Sequence, residues 1–172
     1  MARLTYVEKE RGSAEQEKIL TQLTQKSGKI ANLWKIWAHS PQTLEAFMPF
    51  YKSLMKGTLD SKLRELAYIK TSLVNGCDYC AGPHKAMGLR AGLTEQQLAE
   101  IDNYKTSSAF SDVEKLVLQY AEELTRSVKR TDELLEELKK HLSEAAIVDL
   151  NLTIGMANLT NRFNISFATD PD

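Results

Sequence analysis

Seven times along this chain a Ser, Thr or Asp stands just before a run whose apolar residues recur every three or four positions. That arrangement points to helices: a short polar side chain accepts from the free N–H groups of a first turn, and the spacing lays apolar residues on one face. Ser13 with Gln16 has the reciprocal spacing of a capping box, and Gly28 can close the helix it opens. Residues 39–57 predict a second helix, capped by Ser40, with Pro41 at its first position and Gly57 as its stop. Pro49 inside that run predicts a kink or a break. Asp60 caps a third helix, whose stripe is Leu63, Leu66, Ala67, Leu73 and Val74 and which ends at Asn75-Gly76. The next helix runs to about Ala91-Gly92; Pro83, having no N–H, fits a first turn and places the start at or just before Cys80. Thr94 with Gln97, Ser111 with Glu114, Thr131 and Ser143 open four more. The connections are short, at Gly92-Leu93, Lys105 to Ala109 and Lys129-Arg130, and none is long enough to separate one domain from another. Strand signals are nearly absent, so the fold class is all-α, a compact helical domain spanning 1–172.

The balance of 22 basic and 23 acidic residues gives no electrostatic case for a nucleic-acid partner or an anionic membrane. No segment approaches the ~20 apolar residues of a membrane span, and the first residues lack the apolar centre of a signal peptide. The expected location is cytoplasmic. In that reducing setting a close pair of cysteines is more often catalytic, redox-active or metal-binding than a structural staple.

Both cysteines of the chain, Cys77 and Cys80, lie in one short stretch, NGCDYCAGPHKAMG, with His84. Two cysteines three apart in a helical turn can close a disulfide with little backbone movement. At a helix start, partial positive charge and free N–H groups favour a thiolate. His84 is four residues after Cys80 and seven after Cys77, so on one helix the three share a face. Attachment of a c-type haem requires His directly after the second Cys, where Ala81 stands. A zinc site could use Cys77, Cys80 and His84 with His39 or His141 as fourth ligand, but only three of those are local. Two structural thiols at a helix start are the bland alternative. Glu65, twelve residues before Cys77, sits on the helix that delivers the chain to the motif and could hold His84 or a relay water if its face turns that way. Tyr79 could donate a hydrogen bond or merely pack, and Lys70 could pair with a carboxylate or snorkel outward. Trp34, Trp37, Phe47, Phe50 and Tyr51 form core or a subunit interface. The dipole favours Cys77 as the attacking thiol and proximity to His84 favours Cys80; spacing alone leaves both open.

The run from Glu65 through Cys77 and Cys80 to His84 resembles the alkylhydroperoxidase D and carboxymuconolactone decarboxylase superfamily, and residues 32–47 and 152–167 look like the flanks of its peroxidase-related branch. The pattern there is Glu, eleven residues, Cys-x-x-Cys, three residues, His, and this chain is in register with it. The motif-bearing core is about 40–125, and the likeness covers most of the chain from about Asn32. The resemblance implies an all-α fold and a homo-oligomer, a trimer or hexamer, with the site near a subunit interface. It implies thiol-dependent reduction of a hydroperoxide, with an external dithiol or redox protein as reductant and no cofactor or metal. Cys80 would attack the peroxide and Cys77 would resolve the sulfenic acid as a disulfide, with His84 and Glu65 as proton relay. In alkylhydroperoxidase D a His precedes the second Cys; here Tyr79 stands there, and a neutral Tyr, with a reference pKa of ~10, is no base near neutral pH. The alternatives are a decarboxylase or lyase of the carboxymuconolactone type, which does not rely on the cysteines, and a non-enzymatic redox-sensing or structural protein.

Overall fold

The computed structural model describes residues 1–129 and 131–172, and of Gln25, Lys26 and Ser27 the backbone alone. The helices are α1 (Ala14–Ser27), α2 (Asn32–Trp37), α3 (Pro41–Met55), α4 (Ser61–Asn75), α5 (Asp78–Arg90), α6 (Glu95–Glu100), α7 (Asp112–Arg126), α8 (Asp132–Lys139) and α9 (Glu144–Phe167), with one 3-10 turn at Ile101–Asn103. No strand occurs among the described residues, as the all-α reading requires. None of the described helices is long and apolar enough to cross a membrane.

Five of the expected caps form, whereas Thr131 stands at the N-cap of α8 without a side-chain cap bond. Ser13 with Gln16, Thr94 with Gln97 and Ser111 with Glu114 each exchange both bonds of a capping box. Asp60 accepts from the N–H groups of Lys62 and Leu63, and Ser143 Oγ accepts from Ala146. The short helix α2 carries no side-chain cap and was not legible as a separate element. The connection expected at Lys129-Arg130 falls partly outside the described residues, because Arg130 is one of those not described.

Two expectations need correction. Pro49 does not break its helix: α3 runs through it, from Pro41 to Met55. Pro49 and Glu45, whose carbonyl loses its partner to the ring, both lie on the exposed face, where water can take the bond. The motif helix starts earlier than Pro83 suggested. Cys77 is the N-cap of α5, Asp78 its first residue, and Pro83 lies in the second turn, again at an exposed position.

The chain divides into two compact units, Met1–Ser53 with Phe163–Asp172, and Leu54–Arg162. In the first, Val7, Ile19, Leu20, Ala38, Leu44 and Met48 are buried. Trp34, Trp37, Phe47 and Tyr51 pack against them, with Trp34 and Trp37 ring centroids 6.0 Å apart. The second unit holds the cysteine motif. Its core includes Leu66, Ile69, Val117, Leu118, Leu138 and Leu150, contributed by α4, α7, α8 and α9. Helix α4 packs on both α5 and α7, so it is the beam from which the site is built.

Candidate active site

The site begins with the way α4 ends. Gly76 adopts the left-handed conformation, φ 70° and ψ 33°, which costs an L side chain about 1–2 kcal/mol. Its N–H donates to Leu73 and the Cys77 N–H donates back to Ser72 at 2.9 Å, which closes the helix and reverses the chain. Helix α5 therefore starts without a linker, with Cys77 at its cap and Cys80 in its first turn. The two cysteines form a disulfide, with Cα atoms 5.3 Å apart. Cys77 is 3% exposed and Cys80 5%, so the bridge lies beneath the surface.

One turn beyond Cys80, at i+4 on the same face, is His84, also buried. Its Nδ1 lies 2.7 Å from Oε2 of Glu65. Glu65 is 2% exposed, far from the solvated position usual for a helical Glu. A buried carboxylate needs partners, and Glu65 has two: His84 on one oxygen and the Arg64 Nε, 3.5 Å away, on the other. An ionised Glu65 accepts from Nδ1–H, which sets the tautomer and leaves Nε2 as the nitrogen that exchanges protons. The ring is also fixed from the side. Tyr68 stacks on it with centroids 3.4 Å apart and planes 11° off parallel. The Tyr68 hydroxyl bonds to Thr160 Oγ1, itself a donor to the Met156 carbonyl.

A second set of bonds holds the cysteine turn. Asn75 donates to Asn161 Oδ1 at 2.9 Å and to Asn158 Oδ1 at 3.1 Å, and Asn161 donates to Ser72 Oγ at 3.2 Å. The turn is thus tied to α9 through side-chain amides, of which Asn161 is fully buried.

Glu65 and His84 therefore meet directly, and Cys77 and Cys80 are joined. Tyr79 is half-buried in the first turn of α5. Lys70 is buried and pairs with Asp102 at 3.2 Å, its ammonium over the Tyr104 ring. His39 bonds the Thr5 carbonyl through Nε2. Among the described residues, no group of three or more His, Cys, Asp or Glu side chains is placed to hold a metal ion. Sequence reasoning missed Tyr68, Arg64 and the Asn75–Asn161 clasp. The one available signal was spacing: Tyr68 lies three residues after Glu65 and so on its face.

Residues 41–123 match the carboxymuconolactone decarboxylase family. An uncharacterized protein of Bacillus subtilis (strain 168), YdfG, is 30% identical over 129 residues, 74% of this chain and 88% of that one. The chain belongs to the carboxymuconolactone decarboxylase family. Solved structures of low sequence identity share its fold. An uncharacterized peroxidase-related protein from Silicibacter sp. TM1040 superposes with a TM-score of 0.83 at 24% identity, covering 99% of this chain and 92% of that one. The alkylhydroperoxidase AhpD core of a peroxidase-related protein from Ralstonia eutropha JMP134 gives 0.81 at 23%, covering 99% and 92%. The debrominase Bmp8 gives 0.81 at 18%, covering 98% and 91%. At these identities the likeness is one of fold, and that fold is shared by peroxidase-related proteins and a debrominase.

Proposed function

We propose that this protein is a thiol-dependent peroxidase that reduces an organic hydroperoxide and is returned to the dithiol by an external dithiol or a redox protein. The observation that carries the reading is the Cys77–Cys80 disulfide in the first turn of α5, one turn from a His84 whose Nδ1 is held by buried Glu65. In the reduced protein the Cys80 proton passes to His84. The Cys80 thiolate attacks the peroxide, the O–O bond breaks, and the leaving alkoxide takes the proton from His84. Cys80 is then a sulfenic acid. Cys77 attacks its sulfur, the S–O bond breaks, and the expelled hydroxide leaves as water with the Cys77 proton. Two electrons and two protons from the external dithiol restore both thiols. Cys80 takes the attacking role because it is one turn from His84, whereas Cys77 is two turns away. With Tyr79 in place of a second imidazole, proton transfer rests on His84 alone. A reducing compartment such as the cytoplasm would sustain the cycle.

The test counts free thiols before and after one equivalent of cumene hydroperoxide. The expected result is a fall from two thiols to none, reversed by dithiothreitol, with turnover abolished in Cys80→Ser. Two thiols that survive the peroxide, or full activity in Cys80→Ser, would reject the assignment.

A further inference from the structure

The disulfide is shut in where an external thiol would need it. Cys77 is 3% exposed and Cys80 5%, yet a thiolate that reduces the bridge must reach one of the two sulfurs. The cysteine turn stands between two fixed posts. On the near side the Cys77 N–H donates to the Ser72 carbonyl at 2.9 Å, and Asn75 donates to Asn161. On the far side His84 is held by Glu65 at 2.7 Å. One turn further on, a Cβ added to Gly88 would stand 2.6 Å from Leu93 Cδ1, so that part of α5 is pressed against the body of the fold.

Between the posts the helix is weak at one step. Pro83 has no N–H, so the bond from residue 83 back to residue 79 is absent from the ladder of α5. Proline also disfavours helical backbone at the residue before it, and that residue, Gly82, gains more freedom than any other type on leaving a helix. Packing calls for neither. Both are exposed, and a Cβ built on Gly82 would meet nothing within 4 Å. A helix-breaking pair therefore separates the turn that carries the sulfurs from the turn that carries the imidazole.

We infer that residues 78–82 form a hinged turn. It swings outward between Cys77 and His84, pivoting at Gly82-Pro83, and presents the bridge to a thiol reductant; its use, though not its geometry, rests on the dithiol cycle proposed above. The closed turn serves the peroxide step, which needs the imidazole beside Cys80. The open turn serves reduction, which needs access. Opening one turn breaks few bonds and leaves the rest of the fold in place.

The test is the rate at which dithiothreitol reduces the bridge in native buffer, with hydrogen exchange of the Ala81 and His84 amides read alongside. In the wild type these amides should exchange at least about tenfold faster than that of Leu118 in the core of α7, because one turn opens more readily than the whole fold. Pro83→Ala supplies the missing donor at an exposed position, and reduction and exchange should both slow about 10- to 100-fold. Adding Gly82→Ala should slow both about a further fourfold. Variants reduced within twofold of the wild-type rate would overturn the inference, as would wild-type Ala81 and His84 amides that exchange no faster than Leu118. The thiol count with cumene hydroperoxide is read separately. Thiols inert to peroxide reject the peroxidase and not the hinge, whereas reactive thiols with variants reduced at the wild-type rate reject the hinge alone.

Discussion

Replacing Glu65 by Gln isolates the charge of the relay from its shape. Gln keeps the length of the side chain and an oxygen for His84 Nδ1–H, so the neutral hydrogen bond at 2.7 Å survives. What disappears is the attraction between carboxylate and imidazolium, which matters only while His84 carries the proton taken from Cys80. Two unit charges about 4 Å apart attract by about 4 kcal/mol at an effective dielectric of about 20. Arg64 shares the same carboxylate at 3.5 Å and reduces what His84 feels. A charge-assisted bond is worth about 1.5–3 kcal/mol, and that range is the expected loss. At about 1.36 kcal/mol per decade, the step with protonated His84 should slow about 10- to 150-fold. The assay is single-turnover loss of thiols after mixing reduced protein with cumene hydroperoxide, with the melting temperature recorded alongside. The sensitive readout is the rate of the first thiol, since the final disulfide should still form. A Glu65→Gln protein that melts like the wild type and reacts within twofold of its rate would refute the relay and leave Glu65 a structural partner of Arg64.

Tyr68→Phe should keep the stack on His84 and lose the bond to Thr160, leaving the single-turnover rate within a few-fold, whereas Tyr68→Ala should lower it by a decade or more; equal rates would show that the stack does not matter. Gly76→Ala should lower stability by about 1–2 kcal/mol, read as a lower denaturant midpoint, with Gly76→Asn milder because Asn tolerates the left-handed region. In Gly57→Ala the new Cβ would stand 2.5 Å from Asp149 Oδ2 and displace the carboxylate that accepts from Thr58; a loss of about 1–2 kcal/mol should appear as a melting temperature about 2–8 °C lower. Burial works against ionisation of Glu114, but Lys62, Ser111 and Gln97 outweigh it and hold its carboxyl below the usual range. The unfolded state then binds more protons, so this contribution is complete above the unfolded value of about 4.3 and fades as pH falls through the lower folded one. Glu114→Gln should flatten the acid limb of the stability curve below that point, and an unchanged limb would contradict the sign.

The helical framework was legible because its signals are local. Ser13, Asp60, Thr94 and Ser111 act on N–H groups two or three residues away, and each does so in the structure. Pro49 and Pro83 misled for a shared reason: both sit on exposed faces, where a lost ladder bond is answered by water, and a linear reading cannot tell an exposed turn from a buried one. The family pattern put Glu65, Cys77, Cys80 and His84 in one set before any fold was known. The clasp behind them was not legible, because Asn75 meets Asn161 across 86 residues and Tyr68 meets Thr160 across 92. Such pairs are decided by which face of α9 turns inward, and α9 offers two apolar faces to choose from.

The geometry of α4 explains why one helix serves both halves of the proposed reaction. Glu65, Tyr68, Ser72 and Asn75 follow at intervals of three, four and three, so they form one stripe along the helix. Glu65 and Tyr68 hold the imidazole, one by its edge and one by its face. Ser72 receives the Cys77 N–H on its carbonyl, and Asn75 ties the turn to α9. Base and sulfurs are therefore referenced to a single rigid element, and their relative placement does not depend on any loop. A buried polar stripe is tolerable only when every member finds a partner, and here each does. The opposite stripe, Leu63, Leu66, Ala67 and Leu73, supplies the apolar burial that offsets it. Moving any polar member to the apolar phase would cost twice, leaving a hole in the network and an unpaired group in the core. The division of α4 into these two stripes is what turns an ordinary amphipathic helix into the frame of a site.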